Sequence, residues 1–262
     1  MAHMSTVCLI AAGVFLLISA ALALYRKNTL QVVDELWAVD TYDARELRRM
    51  CSGGFDATVE VQGEVSCDQP IISLAAQTPC CWFRTVVERE ERKTRTVTET
   101  DARGNRTTRT ETYYEWETTF DRTQCVVFKV HDPTGFTLVD PERAAIDSER
   151  VVRKTVRHRE PWFGPEVRHS DTGKYRITEH VFAPSGFAFV LGRASCLGDE
   201  VIIRYPDTGY LDPKKRHFII SRKTEQELTR SRQVSASVCF WFSIAALLAA
   251  GACLVFAVAG PR

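Results

Sequence analysis

Cys80-Cys81-Trp82-Phe83-Arg84-Thr85-Val86-Val87 opens the stretch on which the rest of the chain is organised. Its aromatic and β-branched residues suit a pleated sheet. Thr94, Thr96, Thr98 and Thr100 then alternate with Arg95, Val97 and Glu99. Arg103-Gly104-Asn105 predicts a reversal, because Gly and Asn tolerate the positive φ of a tight turn. The returning segment carries Thr110, Thr112, Tyr114, Trp116, Thr118 and Phe120 on one face, and Arg109, Glu111, Tyr113, Glu115 and Glu117 on the other. The spacing predicts a long β-hairpin with an aromatic base. Its distal part, residues 91–112, is polar on both faces, so it should protrude into solvent with a weakly specified register.

Outside this stretch the chain divides sharply. Its 34 basic and 33 acidic side chains give a net charge of +1. That balance offers no global field for a nucleic acid, and none is expected as a partner. Residues 5–25 carry no charge, and neither do residues 233–261. Each run is long enough to cross about 30 Å of hydrocarbon as a helix. Arg26-Lys27 follow the first run, the reverse of a signal peptide's charge order, so a retained transmembrane helix is expected. The expected order is a transmembrane helix (5–25), juxtamembrane helices (26–56), a β-rich domain (57–221), a juxtamembrane helix (222–233) and a second transmembrane helix (234–260). Arg26, Lys27, Arg222, Lys223, Arg230 and Arg232 all lie on the domain side of the two runs. The positive-inside rule then places the domain in the cytoplasm and both termini outside.

Of nine cysteines, Cys51, Cys67, Cys80, Cys81, Cys125 and Cys196 lie between the apolar runs. No C-x-x-C pair occurs and the histidines are scattered, so no zinc site or other cofactor is expected. Buried free thiols in a reducing compartment agree with the charge argument.

Thr29 to Ala38 reads as a short helix, and Asp40-Thr41 is placed to cap another that ends near Cys51. On that second helix Arg45, Arg48 and Arg49 are candidates for headgroup contacts. Residues 57–65 alternate as a strand with a bend at Gly63. Further strands are expected at 125–130, 136–140, 175–182, 187–194, 201–205 and 218–221. Residues 142–166 read as irregular and basic. Ser221 or Thr224 should cap the last helix. Turns between short strands favour a β-rich (α+β) domain, a small barrel or twisted sandwich, over a βαβ sheet.

Several blocks together resemble a known family. Val59-Glu60-Val61-Gln62-Gly63-Glu64-Val65 and Thr78-Pro79-Cys80-Cys81-Trp82-Phe83-Arg84 are similar to the GIDE domain, also called BAM, for "beside a membrane". Asp132-Pro133-Thr134-Gly135-Phe136-Thr137-Leu138-Val139-Asp140-Pro141 resembles its D-x-T-G-x-x-x-V-D-P turn. Tyr175-Arg176-Ile177-Thr178-Glu179, Val190-Leu191-Gly192-Arg193-Ala194 and Phe218-Ile219-Ile220-Ser221 resemble its later blocks. The resemblance implies a soluble domain between two membrane helices, as in mitochondrial GIDE-type ubiquitin ligases and their prokaryotic relatives. In the ligases a RING follows the second helix. Here Arg262 follows it directly, so a RING-less member without its own ligase activity is expected.

No catalytic constellation stands out in the residues. His131-Asp132 read as turn formers rather than a base and its orienter. Cys80 and Cys81, as strand neighbours, should face opposite sides, one to the core and one away. The hairpin supplies the candidate partner surface: Arg95, Arg103, Asn105, Arg109, Glu111 and Tyr113. Arg150, Arg153, Lys154, Arg157 and Arg159 are candidate headgroup or phosphate contacts. Ala245, Ala249 and Ala252 permit close helix packing, so a homo-oligomer is expected. The resulting expectation is a non-enzymatic docking or sensing module in the lipid bilayer that binds a still unidentified protein partner. The alternatives are a membrane-anchored enzyme or ligase-like component with a separate catalytic subunit, and a membrane-disrupting effector.

Overall fold

A computed structural model describes residues 2–51, 56–100, 105–198, 200–205 and 218–259. Two long helices, α1 (Ala2–Ala38) and α3 (Glu225–Ala259), flank a β-rich domain. The short helix expected at 29–38 is instead the last part of α1, because no Gly or Pro interrupts the run. The helix α2 (Ala44–Cys51) follows. Asp43 caps it, not Asp40 or Thr41. The Asp43 carboxylate accepts from the Glu46 amide at 2.7 Å and the Glu46 carboxylate accepts from the Asp43 amide at 3.0 Å, a reciprocal capping box. Thr41 donates its hydroxyl to Glu60.

The domain is built on a closed five-stranded barrel. Its strands are β1 (Asp56–Ser66), β6 (Phe128–Asp132), β7 (Gly135–Val139), β11 (Phe187–Leu197) and β12 (Glu200–Arg204). The order runs β1-β6-β7-β12-β11, and β1 pairs with β11 to close it; all pairs are antiparallel except β7–β12. The barrel therefore holds over the sandwich. Gly63 marks the corner where β1 passes from β11 to β6. A Cβ there would lie 2.0 Å from the His131 carbonyl oxygen, so only glycine lets the two backbones meet. Val59, Val61, Phe128, Val190, Ile203 and Phe218 fill the interior, and Leu47 of α2 packs into the same core. Two short strands, β8 (Ala145–Ile146) and β13 (Ile219–Ser221), extend the sheet beyond β11.

A second sheet has the order β5-β4-β10-β9, from β4 (Trp82–Thr100), β5 (Arg106–Cys125), β9 (Glu149–Val156) and β10 (Tyr175–Phe182). The short strands β2 (Ile71–Ile72) and β3 (Pro79–Cys80) pair beside it. Phe83, Val87, Ile177 and Tyr175 form its buried face. Residues 149–156, expected to be irregular, form β9 because Val152 and Val156 pack inward while the charges face out. The strand expected at 125–130 is shifted to Phe128–Asp132, as Cys125 completes β5.

The expected pool of free thiols is also corrected. Cys51 at the end of α2 and Cys196 on β11 form a disulfide across 145 residues of sequence. Cys80 and Cys81 are free and both buried, rather than one facing out. They point into different cores: Cys80 lies against Phe83 and Val181, and Cys81 lies inside the barrel. Burial pushes the Cys80 thiol up to about 11 and raises Cys81 further still. Neither is a nucleophile at neutral pH.

Outside the barrel, α1 and α3 pack antiparallel. Their sheltered residues fall at heptad spacing: Cys8, Phe15, Leu22 and Thr29, with Ala12, Ser19 and Arg26, on α1. On α3 they are Thr229, Ala236, Ser243 and Ala250, with Arg232, Cys239, Ala246 and Cys253. Small residues let the backbones approach, and the Ser19 and Ser243 hydroxyls meet at 2.8 Å. Each span has the length and hydropathy to cross a bilayer, and only 11% of each apolar window is buried by protein. The exposed remainder is apolar surface that water does not favour.

Candidate functional site

The β4–β5 ladder runs from Trp82 opposite Cys125 to Thr100 opposite Arg106. The reversal expected at Arg103-Gly104 lies outside the described residues. A bulge between Val87 and Glu88 leaves Thr119 unpaired, so Phe120 changes face relative to Trp116. Phe120 packs on Trp162, and the Thr119 hydroxyl accepts from the Arg168 amide. Beyond the bulge the two faces separate by chemistry. One carries Thr94 opposite Thr112, Thr96 opposite Thr110 and Thr98 opposite Thr108. The other is a ladder of opposite charges. Arg89 meets Glu117 at 2.7 Å, Lys93 meets Glu115 at 2.6 Å, Arg95 meets Glu111 at 2.9 Å, and Arg109 bridges Glu99 and Glu111. A one-residue slip would move each pair onto opposite faces, so this side specifies the register that the polarity pattern left open.

Four of the partner-surface candidates share that charged face: Arg95, Arg109, Glu111 and Tyr113. The Arg95 guanidinium also lies 5.9 Å from the Tyr113 ring centroid. Asn105 is exposed at the start of the return, and Arg103 lies outside the described residues. Most residues from Glu91 to Thr100 and from Arg106 to Glu115 are exposed.

The basic candidates do not converge. Arg150, Arg153 and Lys154 are strung along β9, an edge strand, which runs from Glu149 opposite Val181 to Val156 opposite Tyr175. Lys154 pairs with Glu160 at 2.9 Å. Arg159 donates to the carbonyls of Val167 and Gly164, so it holds a loop together. Arg157 is exposed. Arg48 lies over the Phe136 ring. Of the alanines, Ala245 and Ala252 face away from α1 and Ala249 is half-buried, whereas Ala246 and Ala250 pack within the helix pair.

His131 and Asp132 are structural. The Asp132 carboxylate accepts from the Ala44 amide at 2.7 Å and from Thr134 and Gly135, joining α2 to the β6–β7 turn. His131 meets the Ser66 hydroxyl at 2.7 Å.

Two buried carboxylates escaped the sequence reading. Glu179 on β10 accepts from the Ala75 and Ala76 amides at 2.8 Å each and from the Thr85 hydroxyl at 2.5 Å. It anchors residues 73–78 on the second sheet. Glu60 on β1 accepts from Thr41 at 2.6 Å and Gln62 at 2.8 Å, but its Oε2 has no partner. Burial raises its pKa, and Glu225 at the start of α3 adds to the shift. The alternation of β1 placed both Glu60 and Gln62 on a solvent face. The sheltering surface comes from residue 41, outside the strand.

Among the described residues, cavities lie against the domain at both its ribbon side and its helix side. One of about 480 Å³, lined by Trp82, Cys125, Glu142 and Arg143 among others, lies at the base of the β4–β5 ribbon. Another, about 430 Å³, lies where α1 and α3 meet β8 and β13. Among the described residues no three His, Cys, Asp or Glu side chains gather as a metal site.

The family model for GIDE, described as E3 ubiquitin ligase, matches residues 95–256. That range begins within the ribbon, takes in the barrel strands other than β1 and the second sheet other than most of β4, and ends near the end of α3. The chain belongs to the GIDE family. No curated protein and no solved structure matches it. The two apolar helices and the family together fit a membrane protein.

Proposed function

We propose that this GIDE domain is a membrane-anchored docking module of the ubiquitin-ligase type of assembly, which binds a protein partner through the β4–β5 ribbon. One observation carries the reading. The ribbon extends well beyond the core, yet its register is held by its own cross-strand charges. An exposed arm that keeps its shape without packing offers a preformed surface, and its edges are open to strand addition. The candidate residues Arg95, Asn105, Arg109, Glu111 and Tyr113 lie on or beside it. The partner would supply whatever catalysis the assembly performs.

The test is site-specific photocrosslinking from Tyr113 in the native membrane, followed by mass spectrometry. A single crosslinked protein, lost when residues 91–112 are replaced by a two-residue turn, supports the reading. Crosslinks to many proteins at similar yield, or a partner retained without the ribbon, refute it.

The side of the membrane is part of the proposal. The flanking charges favoured the cytoplasm, but the rule is strongest for connections of up to about 60 residues. The Cys51–Cys196 disulfide favours an oxidising side. We therefore place the domain in an oxidising compartment, opposite to the reading from charge.

A further inference from the structure

We propose that the cavity between the helix pair and the barrel binds the phosphate of a phospholipid headgroup, with Arg232 as its main ligand. The proposal rests on the membrane-anchored reading above. Tyr25 closes the first charge-free run and Arg232 immediately precedes the second, and both line the cavity. It therefore sits at the level where hydrocarbon gives way to headgroups, the depth at which tyrosine side chains concentrate.

The charges then ask for an anion. Along the α1–α3 seam, small residues give way to Arg26 and Arg232 just at this level. The Nε–H groups of both are shielded from water and have no hydrogen-bond partner. Arg26 lies over the Phe240 ring, which screens its charge without accepting its proton. Neither arginine forms an ion pair among the described residues. Among the described residues, Asp147 is the one acid in the cavity wall. It is already engaged by Lys223 at 3.1 Å and by the Ser221 hydroxyl at 3.1 Å. A shielded Nε–H without an acceptor is costly; a guanidinium is matched by carboxylate or phosphate, and at headgroup depth the abundant anion is phosphate.

The remaining wall fits a lipid better than a free anion. Ile146 and Ile219 line one side. The outward faces of α3 below the cavity present Val238 and Phe242 for acyl chains. Ser235 already donates its hydroxyl to the Ser231 carbonyl and Lys223 is paired with Asp147, so the donors left for the phosphate are Arg232, Ser231 and Tyr25.

The full chain, extracted in mild detergent and delipidated, would be titrated with short-chain phosphatidylglycerol, with diacylglycerol of the same chain length, and with inorganic phosphate. Native mass spectrometry reads the bound mass. One phosphatidylglycerol per chain is expected, with diacylglycerol binding at least tenfold weaker. Arg232→Gln should weaken phosphatidylglycerol at least tenfold. Arg232→Lys should retain most of it. Arg230→Gln, at an exposed position outside the cavity wall, should leave it unchanged. Equal loss at Arg230 and Arg232, or no loss at either, would overturn the site. Inorganic phosphate binding as tightly as the lipid would overturn the lipid assignment in favour of a soluble phosphate ligand. Thermal unfolding of each variant in the same detergent separates lost binding from lost folding. Carbonate extraction of cell membranes checks the anchoring itself: release of the chain would sink the membrane reading whatever the binding result.

Discussion

Breaking the Cys51–Cys196 bridge should weaken the domain far more than any surface change. The bond closes a loop of 145 residues, which includes most of both sheets. Chain-entropy arithmetic for a ring of that size gives about 5 kcal/mol at 25 °C as a ceiling, because native strain and residual unfolded structure subtract from it. At a guanidinium slope of about 4 kcal/mol/M, the midpoint would fall by about 1 M. The assay is equilibrium unfolding of the purified full chain in detergent, followed by tryptophan fluorescence, with and without reductant. The Cys51→Ser/Cys196→Ser variant should match the reduced protein and show no response to reductant. A companion measurement uses intact membranes. A thiol reagent applied after denaturation, without reduction, should modify Cys80 and Cys125 but neither Cys51 nor Cys196. Full modification of Cys51 and Cys196 in native membranes would refute both the bridge and the oxidising compartment argued from it.

Glu179→Ala should destabilise the domain by about 4 kcal/mol in denaturant unfolding, because two amides and a hydroxyl lose a buried charged acceptor; Glu179→Gln, which keeps one carbonyl acceptor, should cost less. A loss under 1 kcal/mol for the alanine variant would contradict the geometry. Glu60 gives a pH signature. Its folded pKa lies above the ordinary 4.5, so the folded state holds the proton more tightly than the unfolded chain. Its contribution favours the fold below that window and diminishes as pH rises through it; Glu60→Gln should flatten this part of the stability–pH curve, and an unchanged curve would count against it. In the helix pair, Ala250→Leu should separate α1 from α3, seen as lower thermal stability in detergent. Ala245→Ile or Ala252→Ile, on the outward face, should instead reduce oligomer size and leave that stability unchanged.

The fold was legible wherever a local pattern answered a local need. The period-two alternation around Trp82 and Val87 marked strands, and the charge-free runs marked the long helices. Barrel closure was not legible, since it depends on β1 pairing with β11, from Asp56 opposite Ser195 to Glu64 opposite Phe187, two segments far apart in sequence. The same holds for the Cys51–Cys196 pair: spacing gives no connectivity, and compartment logic pointed the other way. Thr119 shows a third limit. A single extra residue in β5 moved Phe120 to the other face, and nothing in the alternation announced it. The polar two-stranded ribbon followed from the alternation, whereas the pairing of its charges did not. Arg89, Lys93 and Arg95 had visible acids across the turn, but which acid met which cation required the bulge. The junction cavity was hidden because Tyr25, Asp147 and Arg232 lie in three segments far apart in sequence.

The β4 strand is one uninterrupted backbone from Trp82 to Thr100. Its first residues are pinned between β10 and β5, and the amide of Cys81 beside them bonds to the Phe182 carbonyl at the end of β10. The ten residues from Glu91 outward reach about 30 Å at a strand's rise. That length equals the thickness of a bilayer's hydrocarbon. A load at the far end thus acts on a long lever with a short inner arm. A displacement of the far end would therefore be felt at the base, where β4 is held between β10 and β5.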